Sequence, residues 1–339
     1  MYEKFRTILC FIVLAIMVSC SPSGQKTQIE QGIHVISAGV PKPIAESKDY
    51  DAIFAGLNVN GISGFFPLFI YEEVPEPKTL DNYLDFMPPC NKNAPQFEAM
   101  RKHNIKLLIA GELFYPSDAP YPKIEDDPMK KLIECAGREN ILGVYSYDEP
   151  FWRNLLEPSK RLYGRVKKID ATLPVFMVHA PMPAIVIEQD SNVRPTTKEE
   201  VDYYFKEVKK YNKYADVIGF DVYPIPQEIA QTTTPFADGL VPDYKVAISD
   251  YLAWLKSNGE NKPYMIALQA FSYDDLGKQW LNKNTENTKK PAKSELDEMV
   301  KIAKDSGASF IVWFGPSYLK EKDLKFWQDV LNTSSRFSE

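Results

Sequence analysis

The sequence alternates short β-branched or aromatic runs with amphipathic helical stretches, and it does so eight times between residues 32 and 335. The predicted strands are 34–40, 61–69, 105–114, 141–148, 174–180, 216–223, 263–271 and 309–315. The predicted helices follow them at 47–57, 94–103, 127–138, 155–169, 197–213, 243–258, 293–306 and 321–332. A strand followed by a helix, repeated eight times in about 300 residues, is typical of a (β/α)8 barrel. The pattern therefore predicts an α/β fold with a single TIM barrel, and a doubly wound sheet is the competing arrangement.

The lengths of the connections orient the predicted barrel. Helix-to-strand links are short, as in HN before Ile105 and REN before Ile141. Strand-to-helix links are long, notably 69–93, 180–196, 224–242 and 272–292. In TIM barrels the active site lies in the loops at the carboxyl ends of the strands. We therefore expect the functional residues at that end.

The amino-terminal segment reads as targeting sequence. Lys4 and Arg6 precede an apolar stretch too short to span a bilayer comfortably, which is the layout of an export signal in residues 1–19. Ser19-Cys20 and the polar run after it resemble the lipobox of bacterial lipoproteins, which implies a lipid on Cys20 and a polar tether over 20–31. An ordinary signal peptide cleaved nearby is the alternative. Either way we expect the domain to work outside the cytoplasm, and the lipobox implies anchoring in the cell envelope, in the periplasm or on the outer-membrane surface.

Composition excludes several classes of function. The formal net charge is −6 and no block of Lys or Arg runs through the chain, which argues against nucleic acid as a partner. His34, His103 and His179 are scattered without ligand spacing, so we predict no metal site and no cofactor. Cys90 and Cys135 remain after the predicted signal and could form one disulfide.

Carboxylates, amides and aromatic rings converge where the predicted strands end. This mixture suits sugars, because aromatic faces stack on the C–H faces of sugar rings while carboxylates and amides bind hydroxyl groups. The candidate residues are Phe65, Phe66, Glu112, Tyr115, Asp148, Glu149, His179, Asp221, Tyr223, Gln269, Phe271 and Trp313, with Trp152 as a loop platform. Some of these residues could instead have purely structural roles. Glu112 or Asp221 could be a buried ion-pair partner, and His179 a hydrogen-bonded core residue.

The segment GVYSYDEP carries a resemblance to a known clan. Asp148-Glu149-Pro150 after the fourth predicted strand resembles the Asn-Glu-Pro that ends strand 4 in the large clan of (β/α)8 glycoside hydrolases. The resemblance continues at the level of architecture through YADVIGFDVYP, PYMIALQAF and FIVWFG, and the chain looks like a sugar-processing lipoprotein of the Bacteroidota type. It implies that Glu149 is the acid/base and that Pro150 holds it extended at the rim. A charged Asp148 beside it would raise its pKa, as a general acid needs.

One residue departs from the pattern of that clan. The clan's nucleophile is a glutamate at the end of strand 7, where this sequence has Gln269, and a neutral amide cannot form the glycosyl ester. Three routes stay open. An inverting enzyme would use Asp221 or Glu112 to activate water. A substrate-assisted enzyme would let an N-acetyl group attack, with Asp148 or Asp221 orienting it and Tyr223 and Trp313 shaping the subsite. The third is a barrel that binds glycan without cutting it.

The leading hypothesis is a lipid-anchored glycoside hydrolase with a carbohydrate substrate, in which Glu149 is the general acid and Asp221 the second carboxylate. Inversion requires the two carboxyl groups to face each other across a cleft of about 6.5–9.5 Å. The alternative is a non-catalytic glycan-binding lipoprotein, for which Gln269 is the sequence argument.

Overall fold

The computed structural model describes residues 33–67, 91–188, 192–277 and 279–336. The predicted signal peptide, Cys20 and the tether lie outside these residues, as does Cys90. Cys135 is disulfide-bonded. No helix in the described ranges combines the length and the apolar character that crossing a membrane requires.

Eight parallel strands close into a barrel, which confirms the predicted fold class. The barrel strands are β1 (His34–Ala38), β2 (Ile62–Phe66), β3 (Lys106–Ala110), β4 (Ile141–Tyr145), β5 (Val175–His179), β8 (Val217–Val222), β9 (Tyr264–Gln269) and β12 (Phe310–Phe314). The last strand pairs with the first, His34 opposite Phe310, so no edge is left open. This closure excludes the doubly wound sheet.

Eight helices of at least eight residues surround the described part of the barrel. They are α2 (Tyr50–Val59), α3 (Pro95–Lys102), α5 (Pro128–Ala136), α6 (Leu156–Ile169), α7 (Lys198–Tyr211), α9 (Tyr244–Asn258), α11 (Lys293–Ser306) and α12 (Leu324–Ser335). Side-chain caps begin several of them: Asp49 accepts from the Ala52 N–H, and Thr197 forms a capping box with Glu200. The predicted helices therefore agree with the observed ones to within a few residues at each end.

The long loops at the carboxyl ends contain structure of their own. Short helices lie at α1 (Lys42–Glu46), α4 (Gly111–Phe114), α8 (Gln227–Ala230) and α10 (Tyr273–Leu276). Two small hairpins pair β6 (Ile185–Ile187) with β7 (Val193–Pro195), and β10 (Gln279–Trp280) with β11 (Lys283–Asn284). The third predicted strand is thus too long, because the chain turns into α4 at Gly111. A Cβ there would lie 2.8 Å from the Tyr145 carbonyl oxygen, so only glycine allows this close approach.

Strand alternation decides which side chains enter the barrel. The rings of Phe176 on β5 and Phe310 on β12 meet with centroids 4.9 Å apart, although these strands are not neighbours in the sheet, so both point inward. Successive side chains point to opposite faces, and Phe314 therefore shares the inward face with Phe310. By the same count His179 and Trp313 point outward, toward the helices.

Candidate active site

Three carboxyl groups meet at the mouth of the barrel. Asp148 and Glu149 follow β4, and Asp221 lies on β8 with its side chain directed inward. The carboxyl groups of Glu149 and Asp221 lie close enough that each shifts the pKa of the other. The tertiary structure therefore joins the two residues that the sequence predicted as the acid and the second carboxylate.

Glu149 has a strained backbone. Its φ angle is +43°, in the left-handed region that residues other than glycine rarely occupy. The expectation that Pro150 holds Glu149 extended is therefore wrong: β4 ends at Tyr145, and the acid pair lies in the turn beyond it. The turn is closed by the Trp152 N–H donating to the Glu149 carbonyl at 3.2 Å and the Leu155 N–H donating to the Pro150 carbonyl at 2.9 Å. Such strain costs on the order of 1–3 kcal/mol and is concentrated at functional sites.

Desolvation raises the pKa of Glu149 to about 7, and the negative charge of Asp148 acts in the same direction. The hydrogen bond from Asp221 and the positive charge of Arg153 oppose this rise. Burial also raises the pKa of Asp221 well above its ordinary value, and the charges of Glu149 and Asp148 raise it further. No donor among the described residues reaches the buried Oδ1 of Asp221. Both carboxyl groups of the pair therefore favour the protonated form more than an exposed carboxyl group does.

Asp148 and Glu112 border this pair and have their own partners. The Tyr145 hydroxyl donates to Asp148 Oδ1 at 2.7 Å, while desolvation raises the pKa of Asp148. The Asp148 side chain is nevertheless exposed to solvent. Arg153 forms a two-bond ion pair with Glu112, with Nη1 donating to Oε2 at 2.8 Å. Glu112 is thus an ion-pair partner, the structural role that competed with a catalytic one. Among the described residues, no group of three or more His, Cys, Asp or Glu side chains is arranged to hold a metal ion.

Aromatic rings form the walls around the carboxyl groups. Tyr223 stacks on Phe314 at 5.3 Å with an interplanar angle of 18°, and Phe271 packs edge-on against both. Tyr145 contacts Phe66 at 5.1 Å. After desolvation, the charge of Asp221 is the largest cause of the raised pKa of Tyr223, which places this ring beside the acids. The site therefore combines acids with aromatic faces, as the sequence predicted.

Gln269 points inward on β9, but its amide is fully hydrogen-bonded within the protein. Its Oε1 accepts the Ile225 N–H at 3.0 Å, and its Nε2 donates to the carbonyl oxygens of Ile225 at 2.7 Å and Phe271 at 3.1 Å. The side chain is completely buried. In this structure Gln269 fastens the loop after β8 to the end of β9 and offers no free polar atom to a ligand.

Three other predicted site residues lie away from the acids. The Tyr115 hydroxyl donates to Asp127 at 2.7 Å, at the start of α5. The ring of His179 bonds to Asn212 at 3.0 Å, and burial lowers its pKa to about 4. The Trp313 indole N–H donates to Ser334 Oγ at 2.8 Å, on α12. The hydrogen bonds of these three residues therefore hold helices and loops against the barrel.

Three residues at the site, Tyr145, Arg153 and Phe314, were not predicted from the sequence. A strict count of alternation along the last strand would have found Phe314, because it shares its face with Phe310 and Val312, whereas Trp313 does not. Nothing in the local sequence marks Arg153, because its partner Glu112 lies 41 positions earlier.

Comparisons with known proteins give the fold and no closer relationship. No protein-family model matches the chain, and no curated protein matches it at a significant level. A solved structure of a proposed alpha-L-fucosidase from Bacteroides thetaiotaomicron is similar with a TM-score of 0.52 and 12% identity, over 89% of this chain and 96% of that one. A beta-galactosidase from the Antarctic haloarchaeon Halorubrum lacusprofundi is similar with a TM-score of 0.52 and 10% identity, over 90% of this chain and 58% of that one. The chain thus shares the TIM-barrel fold of these two structures.

Proposed function

We propose that the chain is a glycoside hydrolase in which Glu149 is the general acid. The observation that carries the proposal is the carboxyl group of Glu149, half-buried at the barrel mouth, with its pKa raised to about 7 and aromatic rings beside it. An acid of this pKa is protonated in a large share of molecules at neutral pH and is still strong enough to protonate a leaving oxygen. The activities named for the two similar structures agree with a sugar substrate, while the likeness itself extends only to the fold.

The contact between Glu149 and Asp221 argues against inversion through this pair. Carboxyl groups that interact directly leave little room between them, whereas an inverting pair needs about 6.5–9.5 Å between the groups to hold a water molecule. The mutual pKa shifts of Glu149 and Asp221 therefore favour a route other than inversion through this pair. Asp221 instead lies beside Glu149 as a partner whose own pKa is raised.

Substrate assistance is the route that this arrangement favours. In that route an N-acetyl group on the sugar attacks its own anomeric carbon, so the protein needs a general acid and a second polar group, but no nucleophile at position 269. Asp221 can turn from Glu149 to the acetamido group, with Tyr223 beside both acids. Trp313, which the sequence predicted in this subsite, points to α12 and does not take part.

Glycosides with a 2-acetamido group are expected to react at least about 100-fold faster in kcat/KM than the matched 2-hydroxy glycosides, because a positioned internal nucleophile replaces a bimolecular attack. The measurement is release of the same chromogenic leaving group from paired substrates, with methyl glycosides of both sugars compared for binding. Equal rates for the paired substrates would exclude assistance and restore water as the attacking group.

The pH dependence follows from the raised pKa of Glu149. Folding raises this pKa from 4.5 to about 7, so between these values the native protein binds more protons than the unfolded chain. The free energy of unfolding should therefore fall as pH rises across this window, and kcat/KM should fall above pH 7 as the acid loses its proton. Asp148 and Asp221 contribute in the same direction. Urea titrations at several pH values measure the first effect, and the Glu149→Gln variant should lose the share of the slope that Glu149 contributes. A slope of opposite sign would contradict the assignment.

Glycan binding without cleavage is the second candidate function, and the fully hydrogen-bonded amide of Gln269 favours it. Screening the protein against a glycan library, with products identified by chromatography, separates the two. Cleaved products support hydrolysis, whereas retention of oligosaccharide with no product supports a binding protein.

We further propose that the domain acts in the cell envelope, held there by a lipid on Cys20. The polar run after Cys20 and the apolar stretch before it support this location. Metabolic labelling with a fatty-acid analogue, compared between the natural chain and a Cys20→Ser variant, tests it.

A further inference from the structure

An apolar groove lies beside the carboxyl cluster on the same end of the barrel. Its volume is about 600 Å³, within the range of pockets that hold small organic ligands. The loop after β4 provides Phe151 and Trp152, the β6 strand provides Ile185, Val186 and Ile187, and α7 provides Tyr204 among other residues. Leu281, in the turn between β10 and β11, also lines it. The groove is therefore built by loops that belong to the carboxyl ends of several strands.

Phe151 and Trp152, which line the groove, follow the proposed general acid Glu149 by two and three positions in the sequence. Trp152 stacks on Tyr204 with centroids 5.3 Å apart and an interplanar angle of 13°, and the Trp152 N–H donates to the carbonyl of Glu149. The negative charges of Asp221 and Glu149 are among the causes of the raised pKa of Tyr204, so the stacked pair lies near the acids. Groove and acids are thus neighbouring parts of one surface.

The lining is poorly equipped to bind a sugar. Its carboxylates are Glu199 and Glu200, and Glu200 already binds Arg194 with both oxygens and accepts the Thr197 N–H. The Tyr204 hydroxyl donates to the Ala180 carbonyl. Sugar hydroxyl groups that displaced water here would find few partners, at a free-energy cost. An apolar ligand meets no such cost.

Large apolar side chains are also exposed along the groove. Ile187 is 42% exposed, Trp152 44% and Tyr203 58%. Ile187 follows the partly buried Ile185 and Val186 on the same strand, and a patch of exposed apolar surface of this kind marks a site for a ligand or a partner.

We propose that this groove binds the apolar aglycone of the glycoside, a leaving group of aromatic or polycyclic hydrocarbon character. The inference rests on the proposed function in one respect. A general acid protonates the oxygen of the leaving group, so the leaving group must lie on the Glu149 side of the scissile bond. The groove that starts at Phe151 and Trp152 lies on that side, and its stacked rings and aliphatic wall match a flat apolar molecule.

Isothermal titration of the full chain with 2-naphthol tests the proposal without requiring turnover. We expect one saturable site, weakened about tenfold by Ile187→Asn, because a large apolar contact is lost on an exposed strand. The matched control is Val246→Asn, since Val246 is 43% exposed on α9 outside the groove. Binding to the control and to Glu149→Gln should equal binding to the natural chain.

A second arm links the groove to the reaction. The kcat/KM for a 2-naphthyl glycoside should exceed that for the methyl glycoside of the same sugar, after correction for leaving-group pKa, and Ile187→Asn should reduce this preference.

Unchanged 2-naphthol affinity in Ile187→Asn would overturn the proposal. So would sedimentation showing a dimer that Ile187→Asn dissociates, or vesicles of phosphatidylcholine that bind the natural chain and not this variant. If Glu149→Gln cleaves glycosides normally while 2-naphthol binds as expected, the general-acid role of Glu149 is contradicted, whereas the groove is still a binding site for an apolar molecule.

Discussion

Replacing Glu149 with Gln is expected to lower kcat/KM by a factor of roughly 10² to 10⁴ on any glycoside that the natural protein cleaves, since proton donation to the leaving oxygen is lost while the shape of the side chain is kept. The loss should be smallest for substrates whose leaving groups are strong acids, because these depart without a proton. Rates with a series of aryl glycosides of decreasing leaving-group pKa, measured for both proteins, give this dependence directly.

The same variant should not destabilise the fold. The amide introduced by Glu149→Gln would carry no charge beside Asp148 and Asp221, and the raised pKa values of these carboxyl groups show that their charges are unfavourable in the folded protein. Glu149→Gly should raise the free energy of unfolding by about 1 kcal/mol, because glycine accepts the positive φ angle without strain. Glu139→Gln, at the opposite end of the barrel before β4, is the matched control for activity. Rates within twofold of the natural chain for Glu149→Gln would remove the general-acid role.

Replacing Gln269 with Glu is expected to lower the free energy of unfolding by about 3 to 5 kcal/mol, although it restores the residue type that the glycosidase clan has at this strand end. The Nε2 group donates to two carbonyl oxygens, and a carboxylate oxygen in its place would face both of them without a proton to share. The position is completely buried, so water cannot relieve the repulsion. Chemical denaturation of the two proteins measures the difference.

The Gln269→Glu variant should also gain no retaining activity, because the Ile225 N–H, which donates to Gln269 Oε1, would still bind the buried carboxyl group. Gln328→Glu, the same chemical change at an exposed position on α12, is the control and should alter stability by no more than about 0.5 kcal/mol. The opposite outcome would be a Gln269→Glu protein that is as stable as the natural chain and forms a covalent glycosyl ester with an activated substrate. That result would show that position 269 can serve as a nucleophile site and that the role of Gln269 is not structural.

Local pattern was sufficient for the architecture. Hydrophobic periodicity located the eight strands and the surrounding helices. Apolar residues repeat about every 2 positions in a strand and every 3.6 in a helix, so the pattern can be read from neighbouring residues alone. The contrast between short and long connections identified the end of the barrel that carries the site. The position of Asp148 and Glu149 after the fourth strand then brought them to that end, together with Asp221 on β8.

Contacts between distant segments decided the chemistry. The sequence predicted both Glu149 and Asp221, but only the closed barrel brings their side chains together, so that each shifts the pKa of the other. Trp313 and Phe314 are adjacent in the chain, but their side chains point to opposite faces of β12. Trp313 contacts α12, whereas Phe314 lies at the site. A shift of one residue reverses the face of a strand, and the partners of a buried polar group come from other strands and loops. Composition and periodicity therefore determined the barrel and the end that carries the candidate site. The proximity of the two acids, the hydrogen-bonded amide of Gln269 and the apolar groove result from tertiary packing, because each depends on distances between segments far apart in sequence.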